Sequence, residues 1–191
     1  VIDGLSKIEK FCPQFHISLQ SGCDRTLKNM NRHYTAEEYK SLCQKLRTTF
    51  VDATITTDVM VGFTDESDED FNESLEFVKD IEFEKVHVFP YSQREGTVAS
   101  RRGDNIPKST KECRASIMIE TAKRSRLKYF DSLIGSEQTV LFESIEGNNI
   151  YQGYTRNYVP VRYRSDKNII GQEIKVTIES VDTNNDICIA K

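Results

Sequence analysis

Residues 15–20, Phe-His-Ile-Ser-Leu-Gln, alternate apolar and polar side chains, the period of two that a half-buried strand requires. Ser21 and Gly22 close the run as a turn, and Asp24 is placed to cap a short helix reaching about Met30. Thr35 to Glu38 has the form of a capping box. Tyr39, Leu42, Cys43, Leu46 and Phe50 follow at helical spacing, one apolar stripe of an amphipathic helix. Residues 54–63 are rich in β-branched types and predict a mostly buried strand. Ser67 to Asp70 is a second capping box, with Phe71, Leu75 and Val78 as the stripe behind it. Residues 85–89 predict a third strand, stopped by Pro90.

The order strand, helix, strand, helix, strand is that of parallel β/α construction with right-handed crossovers. It is too short for a full barrel of ~250 residues, so the expectation is part of one, or a small open sheet. Residues 92–107 read as a loop. Ser109 to Glu112 gives a third capping box, and a long helix is expected to about Leu133, with Gly135 as its stop.

From Glu137 the pattern changes. Residues 139–142, 158–163 and 174–178 alternate, and Asn-, Asp- and Gly-rich turns separate them. This predicts a small all-β barrel. The expected domains are therefore 1–134, α/β, and 135–191, all-β.

Composition narrows the function classes. The chain has 191 residues, a net charge of -4, pI about 5.5 and mean hydropathy -0.55. This excludes a bulk polycation that coats nucleic acid. No run approaches the ~20 apolar residues of a membrane span, and the first ten residues do not read as a signal peptide. The start at Val1 rather than Met is expected of a cut or processed piece. Charge is segregated. Eleven acids and one base lie between 58 and 84, and nine bases and three acids between 101 and 128. Two solvated helix faces of opposite sign account for this, as does a basic strip for a polyanion.

The five cysteines, Cys12, Cys23, Cys43, Cys113 and Cys188, show no C-x-x-C and no ligand spacing with His16, His33 or His87. A reducing compartment, the cytoplasm, is expected, with no self-contained zinc or iron–sulfur site. The acids from Asp65 to Asp70 suit a helix N-terminus better than a metal.

Ligands of parallel α/β arrays sit at the C-terminal ends of the strands. Gln20 and Ser21, Val61 and Gly62, and Phe89, Pro90 and Tyr91 occupy those ends. Gln20 and Ser21 offer polar groups, Gly62 a close backbone approach, and Phe89 and Tyr91 flanking rings; taken alone, ordinary turn chemistry is the simpler account of each segment. In the β module, Tyr154, Arg156, Tyr158, Arg162 and Arg164 interleave aromatic and basic side chains. That is the texture of stacking on unpaired bases.

The segments Leu19-Gln20-Ser21-Gly22-Cys23-Asp24, Met30 to Thr35, Thr57 to Phe63 and Phe89 to Thr97 together resemble the radical S-adenosylmethionine methylthiotransferases, the MiaB/RimO/MtaB group. The MtaB type is the most similar. Gly153-Tyr154-Thr155-Arg156-Asn157-Tyr158 resembles that group's TRAM domain. The resemblance implies a parent enzyme that adds a methylthio group to C2 of N6-threonylcarbamoyladenosine beside the tRNA anticodon. It implies S-adenosylmethionine and two 4Fe-4S clusters as cofactors, a reductant, and the tRNA anticodon stem-loop as partner. By the same analogy Gln20, Ser21, Val61, Gly62, Phe89, Pro90, Tyr91 and Arg32 would face S-adenosylmethionine, and the TRAM residues would bind RNA.

The family's C-x-x-x-C-x-x-C motif is absent from this sequence, so the cluster ligands are expected outside it and the chain alone is expected to be inactive. The family's G-F-P-G-E-T appears here as Gly62-Phe63-Thr64-Asp65-Glu66-Ser67, which predicts a looser loop and leaves no clear role for Glu66. The alternatives are a stand-alone RNA-binding module and a protein-interaction piece.

Overall fold

A computed structural model describes residues 1–191. The chain divides into two compact units, Phe15–Thr48 with Ile55–Ser125, and Val1–Gln14 with Thr49–Thr54 and Arg126–Lys191. In order, the elements are α1 (Ile2–Leu5), β1 (Gln14–His16), α2 (Asp24–Asn29), α3 (Ala36–Thr49), β2 (Thr54–Val61), α4 (Asp68–Ile81), β3 (Lys85–Pro90), α5 (Val98–Arg101) and α6 (Lys108–Ser132). Five strands follow: β4 (Glu137–Ile145), β5 (Ile150–Thr155), β6 (Pro160–Arg164), β7 (Glu173–Asp182) and β8 (Ile187–Ala190). No helix is long and apolar enough to cross a membrane.

The first unit is built on a three-stranded sheet of order β1-β2-β3. β2 pairs with β3 in parallel, Asp58 opposite His87 and Val61 opposite Pro90. Ile55, Val59 and Val61 are buried, as are Tyr39, Cys43 and Leu46 of α3 and Phe71, Leu75, Val78 and Ile81 of α4. The stripes therefore face inward, as their spacing predicts, with the exception of Leu42 of α3, which is exposed. Burial raises the Cys43 thiol to about 11, so this cysteine is an inert part of the core.

Both early capping boxes form. The Thr35 hydroxyl accepts from the Glu38 amide at 3.2 Å, and the Glu38 carboxylate accepts from the Thr35 amide at 2.8 Å. The Ser67 hydroxyl accepts from Asp70 N–H at 3.2 Å, and the Asp70 carboxylate accepts from Ser67 N–H at 2.7 Å. Arg25 also binds Asp70, and this guanidinium holds the Asp70 carboxyl far below the usual carboxylate range. A carboxyl depressed in the folded state contributes stability that is complete above about pH 4 and is lost as pH falls through its folded value. Asp70→Asn is therefore expected to flatten the acid limb of a stability-versus-pH curve measured by urea unfolding. An acid limb of unchanged steepness would refute this.

Three local readings are corrected. Asp24 is the first residue of α2 and does not cap it. Its carboxylate accepts from Ala36 N–H at 2.7 Å, at the start of α3. α6 begins one residue before Ser109, and its first turn closes from Lys111 N–H to the Pro107 carbonyl at 3.1 Å. Pro107 thus stands at the cap position and Ser109 lies inside the first turn, so the Ser109 box does not start the helix. The loop 92–107 contains α5, capped by the Thr97 hydroxyl.

In the second unit β4 to β8 close a barrel of order β4-β5-β6-β8-β7. Its core gathers Val140, Phe142, Tyr151, Val161, Val176, Ile178 and Cys188, and Phe130 of α6 is fully buried among them. Two strands were not among the predicted runs. β5 alternates in burial but carries Gly153 at its centre, which weakens any strand signal. β8 has only four residues and closes the barrel by pairing in parallel with β6, a contact with no local signature. Tyr158, expected to open a strand, lies in the preceding turn at φ 67°.

Asn157, 7% exposed, is fully bonded within this unit. Its side-chain amide donates to the Asp52 carbonyl at 2.6 Å and to the Tyr129 hydroxyl at 3.0 Å, its side-chain carbonyl accepts from the Thr155 hydroxyl at 2.5 Å, and its backbone carbonyl accepts from the Thr54 hydroxyl at 2.6 Å.

Candidate functional site

The C-terminal strand ends come together through the sheet register. Gln20 bridges to Val59, Val61 lies opposite Pro90, Met60 lies opposite Phe89, and Tyr91 N–H donates to the Val61 carbonyl at 2.8 Å. Seven of the eight proposed ligand residues therefore occupy one end of one sheet. Arg32 lies just beyond α2, exposed, and its amide donates to the Leu27 carbonyl at 2.9 Å.

These seven differ in what they offer. Phe89 is 51% exposed, and its ring is open to a partner. Gln20 is half-buried and adopts φ 68°, a left-handed conformation that a non-glycine side chain takes at some cost. Ser21 is fully buried, and its hydroxyl accepts from Cys23 N–H at 3.2 Å. Gly62 also has a left-handed φ, 68°, but its open flank is not free. A Cβ there would lie 2.4 Å from Cγ of Lys111. The close approach expected for a ligand is taken by the stem of a buried lysine.

Lys111 was not foreseen as part of this site. Its ammonium donates to the Tyr91 carbonyl at 3.1 Å, binds Asp104, and stands 5.2 Å from the Tyr91 ring centroid. The Tyr91 phenol oxygen is buried and has no hydrogen-bond partner. Such an orphan is costly in a folded protein and marks a place where a ligand polar group would be stabilised.

The loop after β2 is fastened by ions. Glu66, 6% exposed, accepts Gly62 N–H at 2.7 Å and the Arg114 guanidinium at 2.7 Å. Arg114 also reaches Asp68 at 2.7 Å. Arg102 binds Asp65 at 2.6 Å. Burial pushes the Glu66 carboxyl up, and the Gly62 amide and Arg114 oppose that rise. The acidic and basic segments thus pair with each other at these points. Lys111 and Arg114 are buried and are not part of a solvent-facing basic strip.

On the barrel, the outward row carries Tyr154, which stacks on Tyr158 with ring centroids 5.8 Å apart. Tyr158 is 57% exposed despite its left-handed φ. Two of the three candidate arginines are engaged. Arg156 donates to the Glu9 carbonyl at 2.7 Å, and Arg162 binds Glu146 at 2.7 Å and Asp182 at 3.3 Å. Arg164 is exposed at the far end of the hairpin, opposite Ile150. The barrel therefore presents rings more than free charge.

Comparison with known proteins places this geometry. A model of the radical SAM superfamily matches residues 1–78. The chain is 39% identical over 176 residues to the tRNA-2-methylthio-N(6)-dimethylallyladenosine synthase of Endomicrobium trichonymphae, covering 92% of this chain and 42% of that protein. It is 36% identical over 181 residues to the threonylcarbamoyladenosine tRNA methylthiotransferase MtaB of Thermotoga maritima, covering 95% and 41%. Over this shared span the chain is similar to a fragment of the radical SAM tRNA methylthiotransferases. It spans about two fifths of the length of these curated relatives.

This similarity makes two fits testable. No three His, Cys, Asp or Glu side chains gather to hold a metal ion among the described residues. Cys12 and Cys113 are exposed, and Cys23, Cys43 and Cys188 are buried. These residues do not fit an iron–sulfur cluster. The strand-end set does fit a small polar ligand with a flat ring, on the strength of the orphaned Tyr91 hydroxyl and the exposed Phe89 ring.

The loop that stands where the resemblance expects G-F-P-G-E-T is tied down by side-chain bonds. Asp65 stands where the second glycine would be, in a left-handed conformation with φ 62°. Thr64 donates to the Gly103 carbonyl at 2.8 Å, and Asp65 N–H donates to the Asn105 side chain at 3.0 Å. Asp tolerates this backbone region better than most residues. Side-chain bonds thus hold the turn in this chain. Glu66 has a defined role, holding the Gly62 amide at the end of β2.

Proposed function

We propose that this chain forms part of a radical S-adenosylmethionine tRNA methylthiotransferase that modifies C2 of N6-threonylcarbamoyladenosine next to the anticodon. The observation that carries the reading is the extent of the similarity, 92–96% of this chain, which takes in both units. The choice of modified adenosine rests on the MtaB-like sequence motifs, since relatives named for either adenosine match to a similar degree. S-adenosylmethionine and an iron–sulfur cluster, when bound, supply the radical chemistry that side chains cannot. The cluster ligands belong to parts of the enzyme outside this sequence, as does the contact with the reductant, and the chain alone is inactive. The proposed setting is the cytoplasm.

In this reading Gln20 and Ser21 shape one edge of the S-adenosylmethionine site, with Arg32 as a candidate for its carboxylate. Val61 and Gly62 lie at the base of the site, with the Lys111 stem covering the Gly62 flank. Phe89, Pro90 and Tyr91 close it, with the Tyr91 hydroxyl as hydrogen-bond partner. Residues 1–134 are the radical SAM portion and 135–191 the TRAM module. Tyr154, Arg156, Tyr158, Arg162 and Arg164 form the RNA face, and its affinity comes mainly from stacking on Tyr158 and Tyr154. Support comes from the exposed ring held in a strained backbone and from the engagement of two arginines elsewhere.

Tyr158→Ala is expected to weaken binding of an anticodon stem-loop about tenfold, within the range of one lost base–aromatic stack, while barely changing thermal stability. Binding should depend only shallowly on salt, because few phosphates are neutralised. Fluorescence anisotropy with a labelled stem-loop measures both. Undiminished binding by the variant would overturn the RNA face as drawn.

A further inference from the structure

The segment leading into Gln20 carries an irregularity that the parallel ladder does not repair by itself. Ile17 N–H donates to the Thr56 carbonyl at 3.0 Å, and Gln20 N–H donates to the Asp58 carbonyl at 2.8 Å. The run after β1 thus advances three residues while β2 advances two. One extra residue is inserted, a bulge of the kind that is rare in parallel pairs and common beside functional sites. The mismatch leaves the buried Leu19 amide without a ladder carbonyl.

Side-chain hydroxyls complete the ladder. The Thr57 hydroxyl accepts from Leu19 N–H at 2.9 Å and donates to the Ile17 carbonyl at 2.6 Å. The Tyr39 hydroxyl donates to the same Ile17 carbonyl at 2.6 Å. The Tyr34 hydroxyl reaches the Ser18 carbonyl at 3.1 Å and the Leu19 carbonyl at 2.9 Å. Three consecutive carbonyls and one amide are held by three hydroxyls, immediately before the left-handed Gln20. Leu19 and Thr57 are both fully buried, so water cannot substitute.

We propose that Thr57, supported by Tyr39 and Tyr34, is the positioning residue that sets the Gln20–Ser21 edge of the ligand site. The functional half of this rests on the ligand reading above. The cheapest relief for an unpaired Leu19 amide is to slip the run by one residue into regular register. A slip of one turns every side chain to the opposite face. It would take Gln20 out of its left-handed conformation and move Ser21. The hydroxyls make the bulge the stable register. A core made only for packing would place valine at position 57, which has the same shape and the higher strand preference.

The test compares this chain with Thr57→Val, Thr57→Ser and Tyr34→Phe. Amide hydrogen exchange is followed by mass spectrometry or NMR, and S-adenosylhomocysteine, an unreactive analogue, is titrated by calorimetry. Thr57→Val should speed exchange at Leu19 and Gln20 at least tenfold and weaken the analogue at least tenfold, with amides of α3 and α4 unchanged. Thr57→Ser should restore both to within about threefold. Tyr34→Phe, at a half-buried position, should give a smaller change of the same kind and serves if Thr57→Val does not fold. Unchanged exchange at Leu19 and Gln20, equal loosening of α3 and α4, or no rescue by serine would overturn the proposal. If the wild-type chain does not bind the analogue, the ligand reading falls, and the exchange data alone decide the positioning role.

Discussion

Gly153→Ala is expected to destabilise the barrel by about 3 kcal/mol, the upper part of the range for overpacking a close-fitted site. A Cβ at this position would lie 2.2 Å from the Leu141 carbonyl oxygen and 2.8 Å from Cα of Phe142. These are backbone atoms, so no rotamer change relieves the clash. Strand β4 cannot retreat, because it pairs with β5 on one side and β7 on the other. Gly153 also lies opposite Phe142, next to the register shift between Phe142 and Ser144. Moving β4 there would pull Phe142 and Val140, both fully buried, out of the core. Gly171→Ala is the control. Its φ of 77° strains alanine, but nothing lies within 4 Å of the added carbon, so a smaller loss of about 1 kcal/mol is expected. Urea unfolding followed by tyrosine fluorescence compares the two; the chain has no tryptophan to obscure the signal. A loss under 1 kcal/mol at Gly153 would mean that the strands are not held so closely.

This glycine shows where sequence reading stops. Its neighbour across the ladder, Phe142, is eleven residues away in the chain, and nothing local to residues 150–155 reveals how near that backbone comes. Signals that act over three or four residues were mostly legible, the Ser109 box being the exception. Thr35 with Glu38, Ser67 with Asp70, and the stripes of α3 and α4 all form as their spacing requires. Signals that depend on a distant partner were not. Asp24 caps the next helix and not its own, β8 closes the barrel through a parallel pairing with β6, and Thr57 repairs a ladder forty residues upstream.

The candidate site divides the same way. Strand ends are readable from strand order, so Gln20, Val61 and Tyr91 fall at one end of the sheet. What fills the space beside Gly62 is Lys111, from a helix that begins 46 residues later. The basic and acidic segments were visible as charge runs, but only the fold decides that Arg114 is buried against Glu66 while Lys108 stays exposed.

That buried pair supports the second large prediction. Glu66 and Arg114 have side chains 1% and 7% exposed, 2.7 Å apart. The guanidinium also touches the Glu66 carbonyl at 3.2 Å and sits 5.5 Å from the Phe71 ring centroid. Removing one partner of such a pair leaves the other charge buried and uncompensated, a loss of about 3–5 kcal/mol. Arg114→Met should fall in that range near neutral pH. The sign of its pH dependence is diagnostic. Burial already raises the Glu66 carboxyl, and losing Arg114 removes a group that opposes the rise. A carboxyl raised in the folded state destabilises the fold when ionised, so the deficit should be largest at high pH and shrink as pH falls through the raised value. Glu66→Gln in the Arg114→Met background should recover much of the loss, since the neutral amide still accepts the Gly62 N–H and no charge remains to be compensated. The double-mutant cycle should therefore show strong coupling. A deficit that is independent of pH, or a double variant no more stable than Arg114→Met, would mean that Arg114 acts through its packing on Phe71 rather than through the charge it neutralises.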